Sequence, residues 1–277
     1  MTHKTRAVYA RFATGIDPYW RHHVVGQSSL EQTGETLRLV NEGATAEAYT
    51  NAQIDDYQQL SRFQFPWRPP LRLMVRARFS HAGAHENSDG ERLAGTAGFG
   101  FWNDPFLMTT LRVPALPRAI WFFYASPPSN MKLDLNTPGW GWKAATIDAA
   151  RLPFLLLALT APLALPLMWI NPLYRTLWPI AQRVINVSEQ GISVPMRDWH
   201  IYTLDWGHRS AHFSVDGRRI LHCDTPPRGP LGLVIWIDNQ YMQVTPQGRI
   251  RHGVIGKPGR QWLELDWLSV EPFPLDR

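Results

Sequence analysis

Alternation with a period of two runs through most of this chain. Leu71 to Phe79 (LRLMVRARF) keeps it from end to end with arginine on the polar side, and Thr36 to Val40 (TLRLV) repeats it. Side chains that alternate in this way belong to strands with one buried face. Ala119 to Ala125 (AIWFFYA) is apolar on both faces, the pattern of a central strand covered on both sides. Gly95 to Trp102 (GTAGFGFW) is a strand spaced by glycines, whose missing side chains let another backbone or a ligand come close. His200 to Trp206, His212 to Val215, Arg219 to His222, Leu231 to Asp238, Tyr241 to Val244, Ile250 to Val254 and Trp262 to Val270 complete the set of predicted strands. Asp216-Gly217 between two alternating runs is a strong hairpin signal, and Gln247-Gly248 and Pro258-Gly259 read as turns. Many strands, frequent turns and few helices predict an all-β sandwich or jelly roll occupying 1–277 as one domain.

One stretch departs from that period. Leu152 to Ile170 carries no charged residue. Asn171-Pro172 then opens a run to Gln190 in which Leu173, Leu177, Ile180, Val184 and Val187 recur at helical spacing. The two pieces read as an apolar helical hairpin inserted at 148–190. Length alone would let Leu152 to Ile170 span a membrane. Pro153, Pro162 and Pro166, and the division of a sandwich that a span would impose, speak against it. Three readings remain: a helix packed on the sandwich, a lid over a cleft, and a helix lying on a membrane surface.

Composition narrows the chemistry. A single cysteine, Cys223, excludes a disulfide framework and any multi-cysteine metal site. Lys and Arg together number 28 against 23 Asp and Glu, and only four are Lys. No run of like charge appears, so nucleic acid is not an expected partner. Met1 to Trp20 contains no apolar core of a signal peptide. A cytoplasmic location, peripheral to a membrane if the hairpin lies on one, is the matching expectation, and it leaves the Asn186-Val187-Ser188 sequon idle. Thirteen Trp and 12 Phe suit a core, a stacking platform or an apolar cleft.

The order of several segments resembles the family 16 glycoside hydrolases. Trp199 to Trp206 (WHIYTLDW) resembles the family's His-x-Tyr strand leading to an acidic-Trp pair. Phe213 to Gly217 (FSVDG) resembles the next strand and its turn, and Leu231 to Asn239 (LGLVIWIDN) a later sheet strand. Leu265 to Val270 (LDWLSV) resembles the closing strand, and Leu73 to Phe79 with Gly98 to Trp102 the strands before the active-site strand. The resemblance covers about Leu37 to Glu271 apart from the helical insertion, and implies a concanavalin A-like β jelly roll: two curved antiparallel sheets with a ligand cleft on the concave face. The family's catalytic strand reads E-x-D-x-x-E or E-x-D-x-E. The matching strand here places Ala119 at the first Glu, Trp121 at the Asp, and Phe123 or Tyr124 at the second Glu. No carboxylate occurs from Leu107 through Lys132, so retaining hydrolysis by two carboxyl groups about 5 Å apart is not expected at this strand.

The replacements suggest a different ligand. Trp121, Phe123 and Tyr124, with Trp102 and Asn103 after the glycine-spaced strand and Trp236, Asn239 and Tyr241 at another strand end, form the expected binding set. Asp238, on the same face as Trp236 by alternation, is the candidate catalytic or orienting carboxylate; turn capping is its plainer reading. The expected ligand is an apolar or amphipathic small molecule, bound or transformed under a helical lid, with an isomerase- or cyclase-type enzyme one form this takes. The other reading is a carbohydrate-active protein, lectin-like or a hydrolase with relocated acids. A cleft collapsed onto its own rings is the alternative to both. No cofactor and no metal are expected: Glu264 and Asp266, His81 and His85, and His22-His23 lack a ligand cluster around them, although the resemblance would let Asp266 help hold calcium. No G-x-S-x-G elbow occurs, and Cys223 reads as structural.

Overall fold

The computed structural model describes residues 7–83, 91–105 and 113–273; His85 and the turn at 87–90 lie outside them. The alternating segments form two antiparallel sheets. The first contains β1 (Val8–Arg11), β3 (Ser29–Thr33), β4 (Thr36–Ala44), β6 (Leu71–Phe79), β11 (His200–Trp206), β12 (Ala211–Val215), β13 (Arg218–Cys223) and β17 (Lys257–Pro272). Its order is β13-β12-β11-β6-β17-β4-β3, with β1 also on β17. The second contains β2 (Arg21–Val25), β5 (Asn51–Asp55), β7 (Thr96–Trp102), β8 (Arg118–Ala125), β9 (Gly141–Asp148), β10 (Ser188–Gly191) and β14 (Gly232–Asp238), in the order β10-β9-β8-β7-β14-β5-β2. A separate hairpin pairs β15 (Gln240–Val244) with β16 (Ile250–Val254).

Alternation decides what each sheet gives to the space between them. β6 sends Leu71, Leu73, Val75, Ala77 and Phe79 inward, where they meet Phe99, Phe101, Ile120, Phe122, Tyr124, Trp142 and Tyr202 in one fully buried core. Edge-to-face contacts such as Phe99 on Tyr202 (5.1 Å) and Phe79 on Trp142 (5.3 Å) tie the sheets together. Cys223 is buried in this core, with Thr146 Oγ1 at 3.5 Å.

The inserted segment is helical but shorter and more broken than the sequence predicts. α1 (Leu152–Ala158) and α2 (Ala161–Leu167) each begin with a proline in the first turn, and α3 (Asn171–Ile185) follows. The helix predicted to reach Gln190 stops at Ile185, because Asn186 turns left-handed (φ 59°) and caps it. Residues 188–191 instead form β10, the edge strand paired with β9.

Candidate aromatic trough

The outer face of the second sheet is where β7, β8 and β14 turn their non-core residues. The register places Trp236 opposite Gly98 and Gly98 opposite Phe123, and sets Gly100 between Val234 and Trp121. Glycine is required at both positions. A Cβ on Gly98 would lie 2.3 Å from the Phe122 carbonyl and 3.1 Å from the Trp236 ring, and one on Gly100 would lie 2.5 Å from Trp121 Cβ. Without those side chains the flanking rings lean into the gap. Trp121 stands 5.2 Å from Phe123, 5.3 Å from Trp236 and 5.8 Å from Trp102, centroid to centroid. They floor a cavity of about 180 Å³.

The cavity has a polar margin at each end. On one side β14 ends in Asp238, whose carboxylate accepts from Thr96 Oγ1 (2.7 Å), Thr96 N (3.2 Å) and Gln240 N (3.0 Å). The Trp236 indole donates to the same Thr96 hydroxyl at 2.9 Å. Burial pushes the Asp238 carboxyl up to about 6 against these hydrogen bonds, and burial beside Asp238 also raises the Tyr49 phenol. On the other side Lys143 of β9 donates to Glu189 of β10 at 3.0 Å and to the Pro138 carbonyl at 3.0 Å. Both side chains are nearly inaccessible (3% and 6%), and burial raises the Glu189 carboxyl while Lys143 opposes the rise. Both carboxyl groups line the cavity, but four strand steps separate β14 from β10, roughly 19 Å at 4.7–4.9 Å per step. Paired action on one glycosidic bond needs about 5 to 9.5 Å. Asp238 and Glu189 are not such a pair.

Of the residues singled out in the sequence, Trp102, Trp121, Phe123, Trp236, Asp238 and Tyr241 line the cavity. Three do not. Tyr124 alternates onto the opposite face, where it is fully buried in the main core and donates to the Leu93 carbonyl. Asn103 is a turn residue, donating to Leu116 O and accepting from Arg118 N. Asn239 ties loops together: it accepts from Thr50 N and donates to the carbonyls of Thr45, Ala48 and Ile255. The sequence reading missed Gln53, Thr96, Lys143 and Glu189. Gln53 and Lys143 sit in the same cross-strand row as Trp236 and Phe123, so pairing β5 and β9 correctly is the signal that finds them.

Among the described residues, none of 151–187 lines the cavity, where the lid expectation places Leu152 to Ile170. Its roof is Met131 and Leu133 with Tyr241, Met242 and Val244 of β15, joined where Asn130 N donates to Met242 O and Val244 N to Asn130 O, both at 2.9 Å. The helices stand behind this roof: Trp178 donates to Leu133 O at 2.8 Å, and Gln247 to Met168 O at 3.5 Å. Among the described residues no three His, Cys, Asp or Glu gather as metal ligands. Glu264 lies between Arg38 and Arg78, Asp266 is paired with Arg76, and His81 contacts Glu91.

No family model matches the chain, and no curated protein matches its sequence. Solved structures do. A prokaryotic β-1,3-1,4-glucanase (lichenase) from a mouse hindgut metagenome aligns over 96% of this chain and 99% of its own, at 13% identity and TM-score 0.50. The Crh5 transglycosylase in complex with NAG covers 97% and 84%, at 10% and 0.50. A GlcNAcα1-4Gal-releasing endo-β-galactosidase from Clostridium perfringens covers 95% and 60%, at 10% and 0.53. The fold is theirs. It is a concanavalin A-like jelly roll of the family 16 glycoside hydrolase type, and these neighbours are carbohydrate-active proteins. At such identities the likeness shows the architecture alone, because one fold hosts many functions.

Proposed function

We propose that the chain is a carbohydrate-recognising protein whose trough binds a saccharide without cleaving it by the two-carboxylate route. The observation that carries this reading is the ring platform of Trp102, Trp121, Phe123 and Trp236, largely buried, on the floor of the roofed cavity. A pyranose presents C–H groups on one face, and these seat on the electron-rich face of an indole. Its hydroxyl rim then meets the polar margins, Lys143 and Glu189 at one end and Gln240 at the other. Hydrolysis is left out because β8 carries no carboxylate and Asp238 and Glu189 stand too far apart. Calorimetric titration with lichenan-derived and N-acetylglucosamine oligosaccharides tests it. Binding that Trp121→Ala abolishes supports the proposal, and no heat with any saccharide overturns it.

A second reading, an apolar or amphipathic small molecule, has one specific observation in its favour. The polar groups around the floor already serve one another: Asp238 with Thr96 and Gln240, the Trp236 indole with Thr96, the Trp102 indole with Tyr57 (2.7 Å), and Lys143 with Glu189. A fluorescent apolar probe displaced by lipid-like ligands and not by oligosaccharides decides for it.

A further inference from the structure

The insertion carries an apolar face that neither reading uses. Its inward residues are accounted for: Met168, Trp178, Ile185 and Val187 bury against Ala149, with Leu133, Leu135 and Ile147 beside them. The outward ones are not. Leu156 is 58% exposed, Leu159 78%, Leu163 82% and Trp169 59%, and Leu167 and Ile170 are exposed with them. Ile250, 74% exposed on the neighbouring hairpin, adds to the same side of the molecule, since Gly248 lies under Leu165 and Arg249 stacks over the Trp169 ring at 5.3 Å. Large apolar side chains exposed on successive helices and on the hairpin that touches them mark a docking surface.

Charge decides what docks there. Between Asp148 and Glu189 the chain contains no acid, and its only formal charges are Arg151, Arg175 and Arg183. The hairpin repeats the bias, with Arg249 and Arg251 and no acid between Asp238 and Glu264. The acids nearest this region are engaged: Asp134 accepts from Gln182 and Asp148 from Arg118. A second copy docking through the same face would set arginine against arginine. An anionic bilayer meets both features at once, taking the leucines into its acyl boundary and the arginines at its headgroups. No helix among the described residues is long and apolar enough to cross a membrane, so the mode is interfacial. The geometry points to a site, formed by the outward face of α1 and α2 and the tip of the β15–β16 hairpin, that docks the protein on an anionic lipid surface.

Cosedimentation of the full chain with phosphatidylcholine vesicles containing about 30% phosphatidylglycerol tests this. The wild type sediments with them and partitions at least about tenfold less onto phosphatidylcholine alone. Leu159→Asp with Leu163→Asp lowers partitioning at least about tenfold, and because both side chains are exposed the variant keeps the wild-type near-ultraviolet dichroism and melting. Arg249→Glu with Arg251→Glu loses about fivefold or more per residue on the anionic vesicles. Quenching of Trp169 by brominated lipid, read as the difference from Trp169→Phe, places the ring at the acyl boundary without depending on the leucine variants. The proposal is overturned if the wild type stays in solution with the anionic vesicles, or if the leucine variant sediments as the wild type does. A dimer that the leucine variant dissolves, with no vesicle binding, also overturns it and assigns the face to a second copy. Trp121→Ala retains vesicle binding, so failure of the saccharide reading and failure of this one are told apart.

Discussion

The two sheets of this sandwich present opposite chemistry on their outer faces. On the first, β6 alternates Arg72, Arg76 and Arg78 outward, and each meets an acid on a neighbouring strand: Asp205, Asp266 and Glu264. Trp199 and Trp262 cap the ladder, with Arg76 and Arg78 at 4.8 and 4.7 Å from the Trp199 ring and Arg38 at 4.4 Å from Trp262. Both of these rings carry guanidinium groups, which suit planar stacking better than an ammonium does. On the second sheet the rings are spaced by Gly98 and Gly100 rather than by arginine, so their faces look into a cavity. Both faces use tryptophan. Glycine spacing opens one into a site, and charge pairing closes the other into structure.

The largest test of that contrast is to fill the gap. Gly98→Val puts a branched side chain where a bare Cβ already meets the Phe122 carbonyl at 2.3 Å. β8 and β14 must part to admit it, and denaturant unfolding is expected to show a loss of about 4 kcal/mol or more, together with any saccharide binding. A loss under about 1 kcal/mol would mean the glycines are not what shapes the trough. The matching test on the first sheet removes the ladder's buried charge. The Glu264 side chain is 3% exposed and serves Arg38, Arg78 and the Thr36 hydroxyl, so Glu264→Gln is expected to cost about 3 kcal/mol and to leave saccharide affinity unchanged.

How much of this contrast the sequence displays follows from what period two can carry. The arginine alternation in Leu71 to Phe79 and the ring alternation in Ala119 to Ala125 both encode which face a residue takes, so Trp121, Phe123, Trp102 and Trp236 were legible. Tyr124 shows the limit: in a strand apolar on both faces nothing local says which parity is outward, and it belongs to the core. Glu189 was hidden for another reason. Apolar spacing carried the predicted helix through Val187, and only the left-handed turn at Asn186 returns the chain to strand, where Glu189 meets Lys143. The insertion's outward leucines were visible, but whether they cover the cleft depends on where the hairpin lands, which no local pattern states.

A smaller effect separates the sheets by pH. The folded Asp238 carboxyl titrates near 6, above its ordinary 3.8, because it is buried. Between those values the unfolded chain releases the proton while the folded chain retains it, so the contribution of Asp238 to stability falls as pH rises through this window and is level above it. Asp238→Asn keeps an acceptor for Thr96 and Gln240 and removes the titration. Its melting temperature is therefore expected to depend less on pH between about 4 and 6 than the wild type's, with a gain at pH 8 of up to about 3 kcal/mol. A variant less stable than the wild type at pH 8 would mean that the charge itself, through Thr96, holds the end of β14.

The smallest expected effect lies on the ladder's rim. Arg76 pairs with Asp266 and stacks on Trp199, but its side chain is 37% exposed and that of Asp266 26%. Exposed pairs contribute little, because water screens the charges and two long side chains must be held still. Arg76→Lys keeps the charge and gives up the planar stack, so unfolding is expected to change by less than about 1 kcal/mol. If the loss exceeds about 2 kcal/mol, the stack on Trp199 contributes more than the ion pair. The closed face would then depend on its rings as the open one does, and pairing alone would no longer distinguish the two sheets. A change within about 0.5 kcal/mol, beside the large cost at Gly98, leaves the distinction where the geometry puts it: what lies between the rings decides whether they form a surface or a site.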